Sequence, residues 1–146
     1  MTILPSQTKK ISQEVDVSDK EQLKEVLDLS VEMAELCKKP LGEKKNGALA
    51  LAHCQVDHDN PKRFFVALNG EVFINPKILS KQDSFTHIEG CMSYPFRGQK
   101  KVKRWNKVQV EYINSEGETV IDDVEGINAC IFQHEIAHMN GISIYT

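Results

Sequence analysis

The sequence predicts an α+β fold: an N-terminal amphipathic helix, then antiparallel strands packed around a buried helix close to the C-terminus. Three observations carry this expectation. Apolar residues recur at helical spacing between Leu23 and Cys37, strand-like runs come in pairs around turn residues, and helical spacing returns after Glu125.

Residues 1–17 are polar and aperiodic and read as an extended or loosely packed arm. Ser18-Asp19-Lys20-Glu21 has the form of a capping box, a serine followed three positions later by glutamate. Leu23, Val26, Leu27, Ser30, Met33, Ala34 and Cys37 then lie along one face of a helix of about twenty residues, which Pro40 and Gly42 should stop. The charged loop Glu43-Lys44-Lys45-Asn46-Gly47 precedes a largely apolar stretch, Ala48 to Val56, that could be a buried strand. Asn69-Gly70 between Phe64-Phe65-Val66-Ala67-Leu68 and Glu71-Val72-Phe73-Ile74 signals a tight hairpin with a type I′ turn. Val108 to Ile113 alternates apolar and polar, and Ser115-Glu116-Gly117-Glu118 turns it back into Thr119-Val120-Ile121. Ile127, Cys130, Ile131, His134, Ile136 and His138 mark the second helix, with Gly141 as its C-terminal stop. Ile142 to Tyr145 could form a short last strand.

A chain of 146 residues suits one compact domain, taken as 1–146, with a core that needs no disulfides. A net charge of -3 gives no hint of a polyanion-binding protein as a whole. No apolar run reaches the length of a membrane span, and the first residues lack a secretory signal. The four cysteines, Cys37, Cys54, Cys91 and Cys130, are scattered, which favours reduced thiols in the cytoplasm. The expectation is a soluble monomer that engages neither DNA nor a membrane.

The chemistry concentrates in Gln133-His134-Glu135-Ile136-Ala137-His138, an H-E-x-x-H segment. Residues four apart share a helix face, so both imidazoles can point at one ion while Glu135 reaches a water beside it. Such a segment can arise by chance on a surface helix. In an apolar helix, however, unpartnered histidines are costly, and a shared ion removes that cost. A catalytic ion wants three protein ligands and an open position. Cys91, after Gly90 in a non-helical stretch ending at Pro95, is the best candidate for the third ligand. Cys37 and Cys130 fall on apolar helical faces and read as packed thiols.

Glu89-Gly90-Cys91-Met92-Ser93 and Gln133-His134-Glu135-Ile136-Ala137-His138 resemble the second and third signature motifs of the peptide deformylase family, EGC(L)S and QHExxH. The first family motif, G-x-G-L-A-A-x-Q, falls on Ala48-Leu49-Ala50-Leu51-Ala52-His53-Cys54-Gln55. Ile74-Asn75-Pro76, Arg97-Gly98 and Val102-Lys103-Arg104 add to the match. The resemblance implies removal of the formyl group from formylmethionine at the N-terminus of nascent polypeptides, with release of formate. It implies one divalent ion on Cys91, His134 and His138, ferrous in cells, with zinc, nickel or cobalt able to substitute. Glu135 would act as base and then acid, while the Gln55 amide and the Met92 backbone N–H would stabilise an oxyanion. Leu49, His87, Ile127, Cys130 and Ile131 would wall the methionine pocket, and Ala50, Glu89, Gly90 and Arg97 would complete the substrate-binding set. The ribosome is a possible partner.

Three departures stand out. Ala48 and Ala50 replace glycines, and the Ala50 methyl would narrow the cleft. His53 replaces an alanine and reads as a packed histidine rather than a fourth ligand. Thr146 follows His138 by only eight residues, as in organellar or phage-encoded members. The basic run Lys100 to Lys107 reads first as a solvated surface segment, with contact to RNA or nascent chain as the alternative. Asp57-His58-Asp59 reads as a polar turn. Two other functions stay open: an H-E-x-x-H peptidase with a different third ligand, and a catalytically silent binder of formylated N-termini.

Overall fold

A computed structural model describes residues 1–39, 49–91, 93 and 97–145. The stop signals Pro40 and Gly42, the charged loop 43–47, Ala48, Met92 and Pro95 lie outside the described residues.

Helix α1 spans Lys20–Lys38. Its cap is Asp19, whose carboxylate accepts from the Glu21 and Gln22 N–H groups. The expected Ser18 box does not form, because the Ser18 hydroxyl donates to Asp16 instead. Strands β1 (Ala50–Ala52), β2 (Phe64–Ala67), β3 (Val72–Glu89), β4 (Lys100–Ile113) and β5 (Thr119–Glu125) follow, then helix α2 (Ile127–Met139). The strands make one antiparallel sheet in chain order, β1-β2-β3-β4-β5.

Side-chain alternation across this sheet separates two cores. Leu51, Phe64, Val66, Val72 and Ile74 meet the α1 stripe of Val26, Met33, Ala34 and Cys37. Ala52, Phe65, Phe73, Val110 and Tyr112 meet Ala129, Phe132, Ile136 and Met139 of α2. Phe132 stands edge-on to Phe65 at 5.2 Å and to Phe73 at 5.0 Å, so α2 is keyed into the sheet by aromatic contacts.

Several expectations need correction. The stretch Ala48–Val56 holds only a three-residue strand. It then tightens into a 3-10 turn, His53–Gln55, because the Gln55 side chain takes the Ala52 N–H at 2.9 Å. The hairpin at Asn69-Gly70 forms, but its turn is not type I′, which requires positive φ at both central residues. Only Gly70 is left-handed, at φ 91°, and its N–H returns to the Ala67 carbonyl at 2.9 Å, the three-residue turn with a bulge. The expected last strand at 142–145 does not form. Gly141 itself, at φ 79°, ends α2: its N–H bonds the His138 carbonyl and the Ile142 N–H bonds that of Ala137, a Schellman closure.

The largest departure is the length of β3 and β4. Both extend well past the apolar segments, to Glu89 and from Lys100, and pair Glu89↔Lys100, Phe85↔Arg104 and Lys81↔Val108. The basic run is therefore the first half of β4, with Lys100, Lys101, Lys103 and Lys107 exposed as a solvated surface segment should be. The arm is extended and tied down. Ser12 N–H bonds Met139 O, Gln13 N–H bonds Pro61 O, and the Asn75 side chain clasps both the N–H and the carbonyl of Val15 at 2.8 Å.

Candidate metal centre

Two segments distant in sequence converge where β3 ends beneath α2. Glu89 is the last residue of β3 and is buried; the chain leaves through Gly90 to the buried Cys91. Four-residue spacing on α2 places His138 Nε2 3.0 Å from His134 Nε2, and Cys91 Sγ lies 3.3 Å from His138 Nε2. One donor atom from each of Cys91, His134 and His138 lies within 4.8 Å of the other two. A sulfur and two imidazole nitrogens so arranged suit a tetrahedral site for zinc, iron, cobalt or nickel.

The surroundings orient these donors. Glu89 Oε1 lies 2.7 Å from His134 Nδ1, which turns the Nε2 of that ring toward Cys91 and His138. Arg104 holds the same carboxylate through both oxygens, from Nε and Nη2 at 2.7 Å each. Burial alone would raise the Glu89 carboxyl, but the His134 and Arg104 hydrogen bonds overcome it and hold it at about 2. Burial disfavours charge on both imidazoles. At His134, hydrogen bonds to Cys91 and Glu89 outweigh burial and push its pKa up; at His138, burial and the charge on His134 push it down. Without an ion the pair therefore favours a single positive charge, carried by His134.

Glu135 is buried, and burial pushes its carboxyl up to about 7. Its Oε2 has no hydrogen-bond partner among the described residues. A buried orphan acceptor costs about 1–3 kcal/mol, which a water held beside an ion would remove. The donor set and this orphan together fit a divalent ion with its solvent.

Gln55 reaches the centre from the 3-10 turn. Its Oε1 is fixed by the Ala52 N–H, so Nε2 turns to the Ser93 hydroxyl at 3.1 Å and to Cys91 Sγ at 3.8 Å. The remaining residues singled out from the sequence are spread around this core. Ala50 is buried on β1 beside a half-exposed Leu49. His87, on β3, lies 3.1 Å from Glu89 Oε2 and edge-on to Phe85, and Gly90 is partly buried. Cys130 is buried on α2 and Ile131 packs at the rim of the core, whereas Ile127 is 50% exposed. Arg97 stands over the Tyr145 ring at 5.1 Å. A second triplet, His87, Glu89 and Cys130, also lies within 4.8 Å. Arg104 occupies both oxygens of its carboxylate, and that charge opposes a second cation.

His53 is not a ligand. Its ring stacks on Phe64 at 5.1 Å, its Nδ1 accepts the Lys62 N–H at 2.9 Å, and burial lowers its pKa to about 4. Asp57 Oδ1 accepts from the Asp59 and Asn60 N–H groups, as a polar turn should. Sequence reasoning gave no role to Arg104, Ser93 or Gln7. A buried glutamate demands a cation, so Arg104 could have been sought on the facing strand. Gln7, whose side-chain oxygen meets His138 Nδ1, has no local signal at all.

Residues 3–146 match the family model described as polypeptide deformylase. The peptide deformylase 1 of Clostridium perfringens is 41% identical over 103 residues, covering 67% of this chain and 68% of that protein. The peptide deformylase of Aquifex aeolicus is 34% identical over 92% of this chain and 78% of its own length. Two other relatives align over 49% and 48% of this chain and 42% and 40% of their own lengths. Among solved structures, the peptide deformylase of Vibrio parahaemolyticus bacteriophage VP16T superposes with a TM-score of 0.78 at 30% identity, covering 99% of this chain and all of that one.

Proposed function

The chain belongs to the polypeptide deformylase family, and from that premise we propose that it is a metal-dependent hydrolase that removes the formyl group from N-terminal formylmethionine of nascent polypeptides. The observation that carries this reading is the convergence of Cys91, His134 and His138 within 4.8 Å, with Glu135 between the two histidines on the same helix.

Those three residues would hold one divalent ion, which when bound acidifies its water toward neutrality and polarises the formyl oxygen. The chain supplies the rest. Glu135 takes a proton from the attacking water and passes it to the departing amine, so the amide C–N bond breaks to give formate and a free N-terminus. Its raised carboxyl, at about 7, suits a group that must be base and then acid. Gln55 Nε2, oriented by the Ala52 N–H and Ser93, is the side-chain donor for the developing oxyanion, with the Met92 N–H as its partner. Glu89 and Arg104 keep His134 in its working tautomer.

Leu49, Ala50, His87, Gly90, Arg97, Ile127, Cys130 and Ile131 are proposed to receive the methionine side chain and the peptide behind it. The thiolate ligand and four unpaired cysteines favour a reducing, cytoplasmic setting and ferrous iron as the resident metal. No helix is long and apolar enough to cross a membrane among the described residues.

The test is release of formate from formyl-Met-Ala-Ser by anaerobically purified protein loaded with ferrous or nickel ion. Turnover by the native chain and its loss in Glu135→Gln at full metal occupancy are expected. Full occupancy with no formate from the native chain overturns the assignment. Cys91→Ala should lose the ion; retention would point to a peptidase with another third ligand.

A further inference from the structure

We propose that Gln7, on the N-terminal arm, is a positioning residue for His138 that fixes the tautomer and plane of its imidazole. The inference rests on the metal-site reading and extends it to a residue 131 positions away in sequence.

The geometry determines which way the Gln7 amide faces. Its Nε2 lies 3.0 Å from the His138 carbonyl and 2.8 Å from the Thr8 carbonyl. Both neighbours only accept, so the nitrogen must be the amide atom facing them; a flipped amide would set oxygen against two oxygens. Oε1 is then the atom against His138 Nδ1, and an acceptor there requires that Nδ1 carry the hydrogen. The opposite ring nitrogen, Nε2, faces Cys91 Sγ at 3.3 Å and His134 Nε2 at 3.0 Å with its lone pair available. The two imidazoles are thus oriented by different devices, His134 by a charged carboxylate and His138 by a neutral amide.

Backbone bonds hold the arm on either side of Gln7 and join it to the first two motif segments and to the residue after the third. Leu4 N–H bonds the Gln55 carbonyl at 2.8 Å, Ser6 N–H bonds that of Ser93 at 2.9 Å, and Ser12 N–H bonds that of Met139 at 2.8 Å. The arm therefore crosses the metal centre as a strap, and Gln7 is its contact with a ligand.

The test compares Gln7→Leu, which keeps bulk and loses the acceptor, with Gln7→Glu, which keeps the acceptor. Zinc affinity is measured by competition with a chelator, and the His138 ring nitrogens are read by long-range 15N–1H NMR of the zinc-loaded protein. Gln7→Leu is expected to weaken zinc by about 10–100-fold, while Gln7→Glu, which keeps the acceptor at Nδ1 but loses the bonds to the Thr8 and His138 carbonyls, weakens zinc less than Gln7→Leu and shifts the Nδ1–H resonance. Native affinity in Gln7→Leu overturns the inference. So does a loss matched by equal destabilisation of the metal-free protein, the mark of a purely structural contact. If Gln7→Leu does not fold, Gln7→Glu decides: an unmoved Nδ1–H resonance overturns the inference. Failure of the native chain to bind zinc overturns the metal-site reading itself, a distinct result.

Discussion

Replacing Arg104 by leucine tests whether the second layer of the site is energetically real. Glu89 is 7% exposed at its side chain and shares both oxygens with Arg104 at 2.7 Å, so the substitution leaves a buried carboxylate short of its main cation. Stranding one member of a buried pair typically costs about 3–5 kcal/mol; His134 still bonds Oε1, which argues for the lower end. Linkage gives an independent figure. A carboxyl held at about 2 instead of its ordinary 4.5 stabilises the fold at neutral pH by roughly 3 kcal/mol from all partners together, less after screening. His134 and Arg104 share that effect, so only part of it falls to Arg104. The sign follows from the depressed value: this stability is fully present above pH 4.5 and lost as pH falls toward about 2. Urea unfolding of the metal-free protein, with chelator present, should show a deficit of about 2–3 kcal/mol at pH 7 for Arg104→Leu. The acid-side fall between pH 4.5 and 2 should be shallower than in the native chain. A deficit below about 1 kcal/mol with an unchanged acid slope would mean that the pair merely breaks even and that the argument is wrong.

Other outcomes follow from the same geometry. Glu135→Gln should stabilise the metal-free protein at pH 8 while abolishing turnover. A carboxyl raised to about 7 destabilises the fold as pH climbs from 4.5 through 7, so thermal melts should coincide at pH 4, separate between pH 4.5 and 7, and stay apart by a constant margin above neutrality. Gly141→Ala should cost at least about 2 kcal/mol by denaturant titration. Its φ is 79° and the new methyl would sit 2.7 Å from the Lys9 carbonyl oxygen. Asn75→Ala should cost about 2 kcal/mol and speed proteolysis of the arm, since one amide satisfies both polar groups of Val15. A melt within experimental error of the native chain would refute either of these last two.

What could be read from the sequence was whatever local rules determine. Helix α1 has a long stripe with a cap one residue away from the expected place, and the H-E-x-x-H spacing fixes its own geometry once it is helical. The turns around Asn69-Gly70 and Gly117 announce themselves through residues that tolerate positive φ. The far halves of β3 and β4 gave no such signal. Ser80 to Thr86 is exposed on both faces, so its strand character comes from pairing with Trp105, Arg104 and Lys103 rather than from any alternation. The short β1 is a conflict of another kind: an apolar run long enough for a full strand is cut off because Gln55 takes the Ala52 N–H. That same hydrogen bond turns Nε2 toward Cys91 and Ser93. Where the strand pattern fails, the backbone has been diverted to aim a side chain at the centre, and the function explains the broken rule. Gln7 and Arg104 share a deeper reason for escaping notice. Each matters through a partner reached only when the chain has folded, so their importance is written in the tertiary structure and in no window of sequence.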